Sequence, residues 1–300
     1  MQLIEHSFKA MGGPCRLRLE VADGQDPSVL ISVAENEVRR LERKYSRYTD
    51  DSLTTKINEA AGTGTAVPID PETAGLLRYA DTLWRESDGR FDLTSGVLRR
   101  AWNFKSGVLP SQSTLDQLLL LVGWRQVEWS ESHIALPSAG MEIDFGGCVK
   151  EYAADSAAAQ LREHGAQAAL VDLAGDMVAV GTPASAKGWP VGIRHPAQKD
   201  KAAAWVTLPE GGLASSGDYE RCMVVQGKRY GHILDPTTGW PVEGLIAASV
   251  LAPQCLVAGS SATIAMLHES AAGLAWLSDL GLPWFAIDAD FQFHGTLVGD

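Results

Sequence analysis

Closely spaced cysteines are missing from this chain. Cys15, Cys148, Cys222 and Cys255 lie far apart and form no Cys-x-x-Cys pattern. Buried free thiols are therefore expected, and neither a disulfide framework nor a zinc site is. No stretch approaches 18 apolar residues, which argues against a membrane-spanning helix. The first residues, Met1-Gln2-Leu3-Ile4-Glu5-His6, lack the basic and apolar segments of a secretory leader, so a cytoplasmic protein is expected. Gly-x-Gly-x-x-Gly and the Walker loop are absent, and with them the common nucleotide-binding modes. Internal repeats and low-complexity tracts are also lacking. Basic charge is in deficit: 25 Lys and Arg against 37 Asp and Glu leave a net charge of -12. An acidic surface disfavours nucleic acid or an anionic membrane as partner. A polyphosphate ligand would need local help from a cation, a helix N-terminus or a few placed Lys and Arg.

The 300 residues, 45% of them hydrophobic, suffice for one large core. A single domain over 1–300 is expected, with a small excursion at 105–140. Ser7 to Val21 reads as strand broken at Met11-Gly12-Gly13-Pro14. Ile31, Ala34, Val38, Leu41 and Tyr45 recur at helical spacing. A second helix starts where Asp70 can cap and Pro71 fits the first turn, and it ends at Asp88-Gly89. Further helices are expected near 112–122, 149–164, 256–268 and 271–280. Strands are expected near 168–174, 176–181, 189–194, 203–208, 221–226, 229–234, 246–252, 283–288 and 291–297. Strands and helices mix without strict alternation, which predicts an α+β fold with largely antiparallel sheets and packed helices.

Three segments bear on chemistry. Residues 215–241 place Ser215, Ser216, Asp218, Tyr219 and Arg221 at one end of a hairpin that turns at Gly227-Lys228. His232 falls inside the return strand of that reading, and it is either a packed structural histidine or a proton acceptor. Asp144-Phe145-Gly146-Gly147-Cys148-Val149-Lys150 joins a strand to a helix. There the glycines permit close approach of a ligand, the free N–H groups favour an anion, and Lys150 adds charge. Leu173-Ala174-Gly175-Asp176 reads as a β-turn.

The 215–241 segment, with Ser-Gly-Asp-Tyr-Glu-Arg at 216–221 and Tyr-Gly-His-Ile-Leu-Asp-Pro-Thr-Thr-Gly at 230–239, resembles the signature of the ApbE-type FAD:protein FMN transferases. Asp144, Gly146, Gly147, Lys150, Tyr152, Ala153 and Asp155 match a second family block, in which Glu151 stands in place of a Gly. Met11-Gly12, Ser46-Arg47-Tyr48 and Phe91-Asp92 fit as well, so the resemblance runs from about Phe8 to Thr296.

The resemblance implies a T-fold-like α+β architecture and transfer of FMN from FAD to a Thr or Ser hydroxyl of an acceptor protein, with release of AMP and help from Mg²⁺. It implies FAD contacts at Met11, Tyr48, Arg90, Phe91, Asp92, Asp144, Lys150 and Leu234, and His232 as catalytic base. Metal ligands are implied at Gly147 through its carbonyl, at position 259 and at Thr263. The family pattern Ala-Asp-x-x-x-Thr is here Ala258-Gly259-Ser260-Ser261-Ala262-Thr263, so the metal-binding carboxylate is missing. Two outcomes stay open. Either another carboxylate substitutes, with Asp176 and Asp235 as candidates, or the chain binds FAD without normal transfer, as a flavin carrier or FAD hydrolase. The sequence contains no Asp-Gly-x-Ser/Thr-like stretch, so flavinylation of the chain itself is not expected.

Overall fold

Along Ala168–Leu173 the side chains divide by alternation: Ala169, Val171 and Leu173 enter one core, Ala168 and Leu170 another. A strand apolar on both faces must be covered on both, and the molecule is built around that requirement. The computed structural model describes residues 1–198, 201–219 and 221–297. Strands β1 (Gln2–Ala10) and β2 (Gly13–Val21) lead into helices α1 (Ser28–Tyr45) and α2 (Leu53–Glu59). Strand β3 (Val67–Pro68), helix α3 (Pro71–Glu86), a 3₁₀ stretch at Leu93–Arg100 and helix α4 (Gln112–Leu119) follow. Strands β4 (Glu128–Trp129) and β5 (His133–Ala135) precede a 3₁₀ turn at Phe145–Gly147 and helix α5 (Val149–Glu163). Then come β6 (Ala168–Leu173), β7 (Asp176–Val180), β8 (Trp189–Arg194), β9 (Ala202–Leu208), β10 (Gly211–Gly217), β11 (Cys222–Val225), β12 (Lys228–Gly231) and β13 (Ala247–Ala252). Helices α6 (Cys255–Leu267) and α7 (Ser270–Asp279) and strands β14 (Trp284–Ile287) and β15 (Phe293–Gly295) end the chain.

Eight strands form one antiparallel sheet in the order β1-β2-β6-β7-β10-β13-β14-β15. Helices α1, α5 and α6 share the core on one face, and the β8–β9 hairpin packs on the other. The α+β expectation holds. No helix among the described residues is long and apolar enough to cross a membrane.

Three local expectations change. The strand read at Ser7–Val21 is a hairpin whose turn, Met11-Gly12, has φ of 51° and 72°. Positive φ at both central residues is the turn that suits a twisted two-stranded ribbon. The later hairpin turns at Gln226-Gly227, not at Gly227-Lys228, with φ of 50° and 80°. Its return strand ends at Gly231, so His232 lies in the bend beyond it. Strand β10 went unpredicted because Gly-Gly-Leu-Ala-Ser-Ser-Gly reads as loop. The small residues are there for packing: a Cβ on Gly212 would sit 2.4 Å from the Cys255 backbone nitrogen, at the start of α6. Glu220 of the signature lies outside the described residues.

Candidate active site

A cavity of about 990 Å³ opens where the β1–β2 turn, the end of α1, the segment at 90–99, the start of α5 and the 215–234 segment converge. That is the upper range for a small-molecule site. Met11, Tyr48, Arg90, Phe91, Asp92, Asp144, Gly147, Lys150, His232, Leu234 and Thr263 all line it. Of the expected site residues, Gly259 alone does not.

The rim is shaped by local geometry. Met11 keeps its uncommon positive φ and its N–H donates to Glu42 Oε1 at 2.6 Å. Strained backbone of this kind persists only when the surroundings hold it. Tyr48 is 79% exposed and stands beside Arg47, whose guanidinium is 6.0 Å from the ring centre. Phe91 and Leu234 are buried, and the Leu234 backbone is bridged to Pro241. Asp92 is on the wall, but its carboxylate is consumed by structure. Oδ1 accepts from the Thr94 N–H and hydroxyl, capping the 3₁₀ stretch, and Oδ2 accepts from the Trp124 N–H. Burial raises its pKa against those hydrogen bonds. Asp144 accepts from the Gly146 N–H at 2.8 Å and from Arg47 at 3.1 Å. Arg90 donates to the Leu267 carbonyl and lies 3.6 Å from Asp235.

The floor is made by α5 and α6. Asp155 of α5 accepts from the Cys255 and Leu256 N–H groups, so it caps α6 and fixes the two helices together. Glu151 lies one turn earlier on the same face of α5. Thr263 of α6 shares a hydrogen bond with Ser216 of β10 at 2.8 Å. Lys150 Nζ lies 2.5 Å from Asp176 Oδ2, an ion pair without the alignment of a good hydrogen bond. Burial works to lower the Lys150 pKa, but the Asp176 and Glu151 charges outweigh it and the pKa is raised. Glu151 is held well above the usual carboxylate range by burial and by the Asp176 charge. Its Oε2 is buried with no hydrogen-bond partner. Asp235, the other candidate substitute carboxylate, is engaged elsewhere, capping its own turn through Thr237. Among the described residues no group of three or more His, Cys, Asp or Glu could hold a metal ion.

His232 sits between these parts. Burial, and after it the Arg99 and Arg221 charges, push its pKa down to about 4, against a hydrogen bond to the Arg221 backbone. The ring is therefore neutral at physiological pH, and its Nδ1 is buried with no hydrogen-bond partner.

Sequence reasoning named Arg47 and Arg221 only as members of motifs, missed Arg16, Arg99 and Arg194, and so missed the gathering of cations. Arg16, Arg47, Arg99, Arg194 and Arg221 join Arg90 and Lys150 around the cavity of an acidic chain. They come from separate segments, so no linear pattern reveals them. The only warning was the acidic balance itself, which demanded placed Lys and Arg for any polyphosphate ligand.

The sequence profile of the ApbE family matches residues 11–285. A FAD:protein FMN transferase of Treponema pallidum is 30% identical over 292 residues, covering 86% of this chain and 80% of its own length. One from Haemophilus influenzae is 30% identical over 243 residues, covering 76% and 70%. The crystal structure of the ApbE protein of Thermotoga maritima superposes with a TM-score of 0.89 at 26% identity, over 98% of this chain and 97% of that one. With its fold, the convergence of its site and a match over most of its length, this chain belongs to the ApbE family.

Proposed function

We propose that the protein is an FAD:protein FMN transferase, which moves FMN from FAD to a Thr or Ser hydroxyl of an acceptor protein and releases AMP. The observation that carries this is the convergence of eleven expected site residues on one cation-lined cavity. The pyrophosphate is assigned to Gly146–Lys150, and a flat ring of the dinucleotide to Met11 and Tyr48 at the rim. A polarizable thioether and an exposed phenol suit such a ring.

The acceptor hydroxyl oxygen forms a bond to the phosphorus on the FMN side of the pyrophosphate. The bond from that phosphorus to the AMP phosphate breaks, and AMP leaves with the electron pair. His232 is assigned the hydroxyl proton, at Nδ1. Its depressed pKa keeps that nitrogen unprotonated at neutral pH. Arg99, Arg221 and Lys150 stabilise charge on the reacting phosphoryl group. The oxygen chemistry of the floor fits Mg²⁺: Thr263 offers a hydroxyl, Gly147 a main-chain carbonyl, and Glu151 Oε2 is a buried oxygen in want of a partner. When bound, the cation supplies charge neutralisation on the pyrophosphate.

The bare position 259 favours one other reading, an FAD-binding protein that carries or hydrolyses FAD without transfer. One assay separates them. FAD and Mg²⁺ are incubated with and without hydroxyl-bearing acceptor peptides, and AMP and peptide mass are followed. AMP that appears only with a peptide, together with a flavin-phosphate adduct, is the expected result. AMP without a peptide points to hydrolysis. Failure to bind FAD at roughly 100 μM overturns both, since that ceiling corresponds to only about 5.5 kcal/mol.

A further inference from the structure

Glu151 and Gly259 compete for one volume. A Cβ added at Gly259 would lie 2.5 Å from Glu151 Cγ and 3.0 Å from its Cδ and Oε1. The carboxylate of α5 thus stands where a side chain of α6 would otherwise project. These are also two positions at which the sequence departs from the family pattern, and the two departures touch.

Glu151 is only 8% exposed, and its Oε2 has no hydrogen-bond partner. A buried carboxylate left in that condition is expensive unless something pairs with it. The nearest cation, Lys150, contacts Asp176 at 2.5 Å. With Lys150 paired to Asp176, Glu151 has no ion-pair partner among the described residues. Thr263 lies one helical turn after Gly259, so its hydroxyl belongs to the same side of α6. Glu151, Thr263 and Gly147 all border the cavity. A carboxylate, a hydroxyl and a main-chain carbonyl are hard oxygen donors, suited to Mg²⁺ or Mn²⁺ and poorly suited to softer metals.

We propose that Glu151 is the anionic ligand of a divalent-cation site shared with Thr263, so that α5 supplies the carboxylate that α6 lacks at position 259. The cation's use rests on the flavin-transfer reading above; the site itself rests on the orphaned oxygen and the Glu151–Gly259 contact. Restoring an acid with Gly259→Asp alone does not improve the site, because its Cβ collides with Glu151 and its charge repels it.

The test is a Mn²⁺ titration of the full chain followed by the electron paramagnetic resonance of the unbound ion, with and without FAD, and with Mg²⁺ as competitor. The wild type is expected to bind one Mn²⁺ per chain. Glu151→Gln keeps the shape and removes the charge, and should weaken binding about tenfold or more. The double variant Glu151→Gly/Gly259→Asp should recover to within about threefold, whereas Gly259→Asp alone should not exceed wild type. Circular dichroism establishes that each variant is folded. Unchanged Mn²⁺ affinity in Glu151→Gln overturns the proposal, as does a wild type that binds no Mn²⁺ under either condition, or a folded double variant that recovers nothing. Flavin fluorescence quenching in the same samples, read without metal, separates this from the reading beneath it. Mn²⁺ binding that depends on Glu151 but comes without FAD binding upholds the site and sinks flavin transfer. FAD binding with Mn²⁺ indifferent to Glu151 sinks the site alone.

Discussion

Helix α5 takes part in two groups of charge that are wired in opposite ways. Tyr152 and Ser156 reach away from the cavity and join Glu37, Arg40 and Lys44 on α1, Glu72 on α3 and Asp70 at the α3 cap. In that network Arg40 donates to both Glu37 and Glu72, and Lys44 to both Asp70 and Glu72, at 2.5–2.9 Å. Glu151, the residue before Tyr152, enters the cavity floor. There it meets Asp176 and a glycine, and one of its oxygens has no hydrogen-bond partner. The paired network closes on itself and holds three helices in register. The other group leaves Glu151 Oε2 without a hydrogen-bond partner among the described residues, and we assign that oxygen to the proposed cation. A count of charges does not separate the two, since both mix acids and bases. What separates them is whether each buried charge already has its partner.

If that distinction is right, changes in the incomplete group should cost function with little loss of fold, and changes in the network the reverse. His232→Ala should show the largest effect. A general base contributes in the transition state, so single-turnover FMN transfer should fall about 10²–10⁴-fold while FAD affinity stays within about threefold. A variant that instead loses several degrees of Tm and keeps its turnover would make His232 a packing residue and erase the comparison.

Glu72→Ala should give the mirror image. Glu72 is the node of the network, and hydrogen bonds from Arg40, and from Lys44 against burial, hold its pKa down to about 2. Its side chain is 20% exposed but Arg40 is 43% exposed, so solvent screening trims the gain. A loss of about 1–2 kcal/mol in urea unfolding is expected. Calorimetric FAD affinity should not move. A large drop in FAD affinity at constant stability would show that the two groups are coupled through α5.

The difference between these groups was only half legible in the sequence. Helical periodicity gave α1, and Asp70-Pro71 gave the start of α3, because caps and turns are local chemistry: the Asp70 carboxylate accepts from the Thr73 N–H at 2.9 Å as expected. The site motifs at 11–12, 47–48, 90–92, 144–150 and 230–235 were legible as a family resemblance. Strand β10 was not, since its Gly212 is dictated by the close approach of α6, a partner far along the chain. Nor was the contact between Glu151 and Gly259. Read singly, each was a substitution, one adding an acid and one removing an acid. Only the packing of α5 on α6, fixed by Asp155, brings them to one point. Asp92 carries a duty the pattern did not reveal: it lines the cavity, and its oxygens also accept from Thr94 and Trp124.

The smallest expected effect lies at the edge of the network, in Asp70→Asn. The Asp70 side chain is 51% exposed, so its ion pair with Lys44 is screened. Burial works to raise its pKa, but hydrogen bonds from Lys44 and Thr73 overcome this and bring it to about 2. The sign follows from linkage. In the unfolded chain the carboxylate titrates near 3.9, so as pH falls the unfolded state takes up the proton first. The contribution of Asp70 is complete above about pH 5, declines through the window from about 4 to 2, and is gone below it. Asparagine keeps an oxygen for the Thr73 N–H and so keeps the cap, which isolates the charge. At pH 7 the variant should lose less than about 0.5 kcal/mol. Its stability should converge on wild type as unfolding curves are repeated toward pH 2.5. If the gap stays constant with pH, the cap rather than the ion pair accounts for it. If it widens as pH falls, the assignment of Asp70 to the fully paired network is wrong.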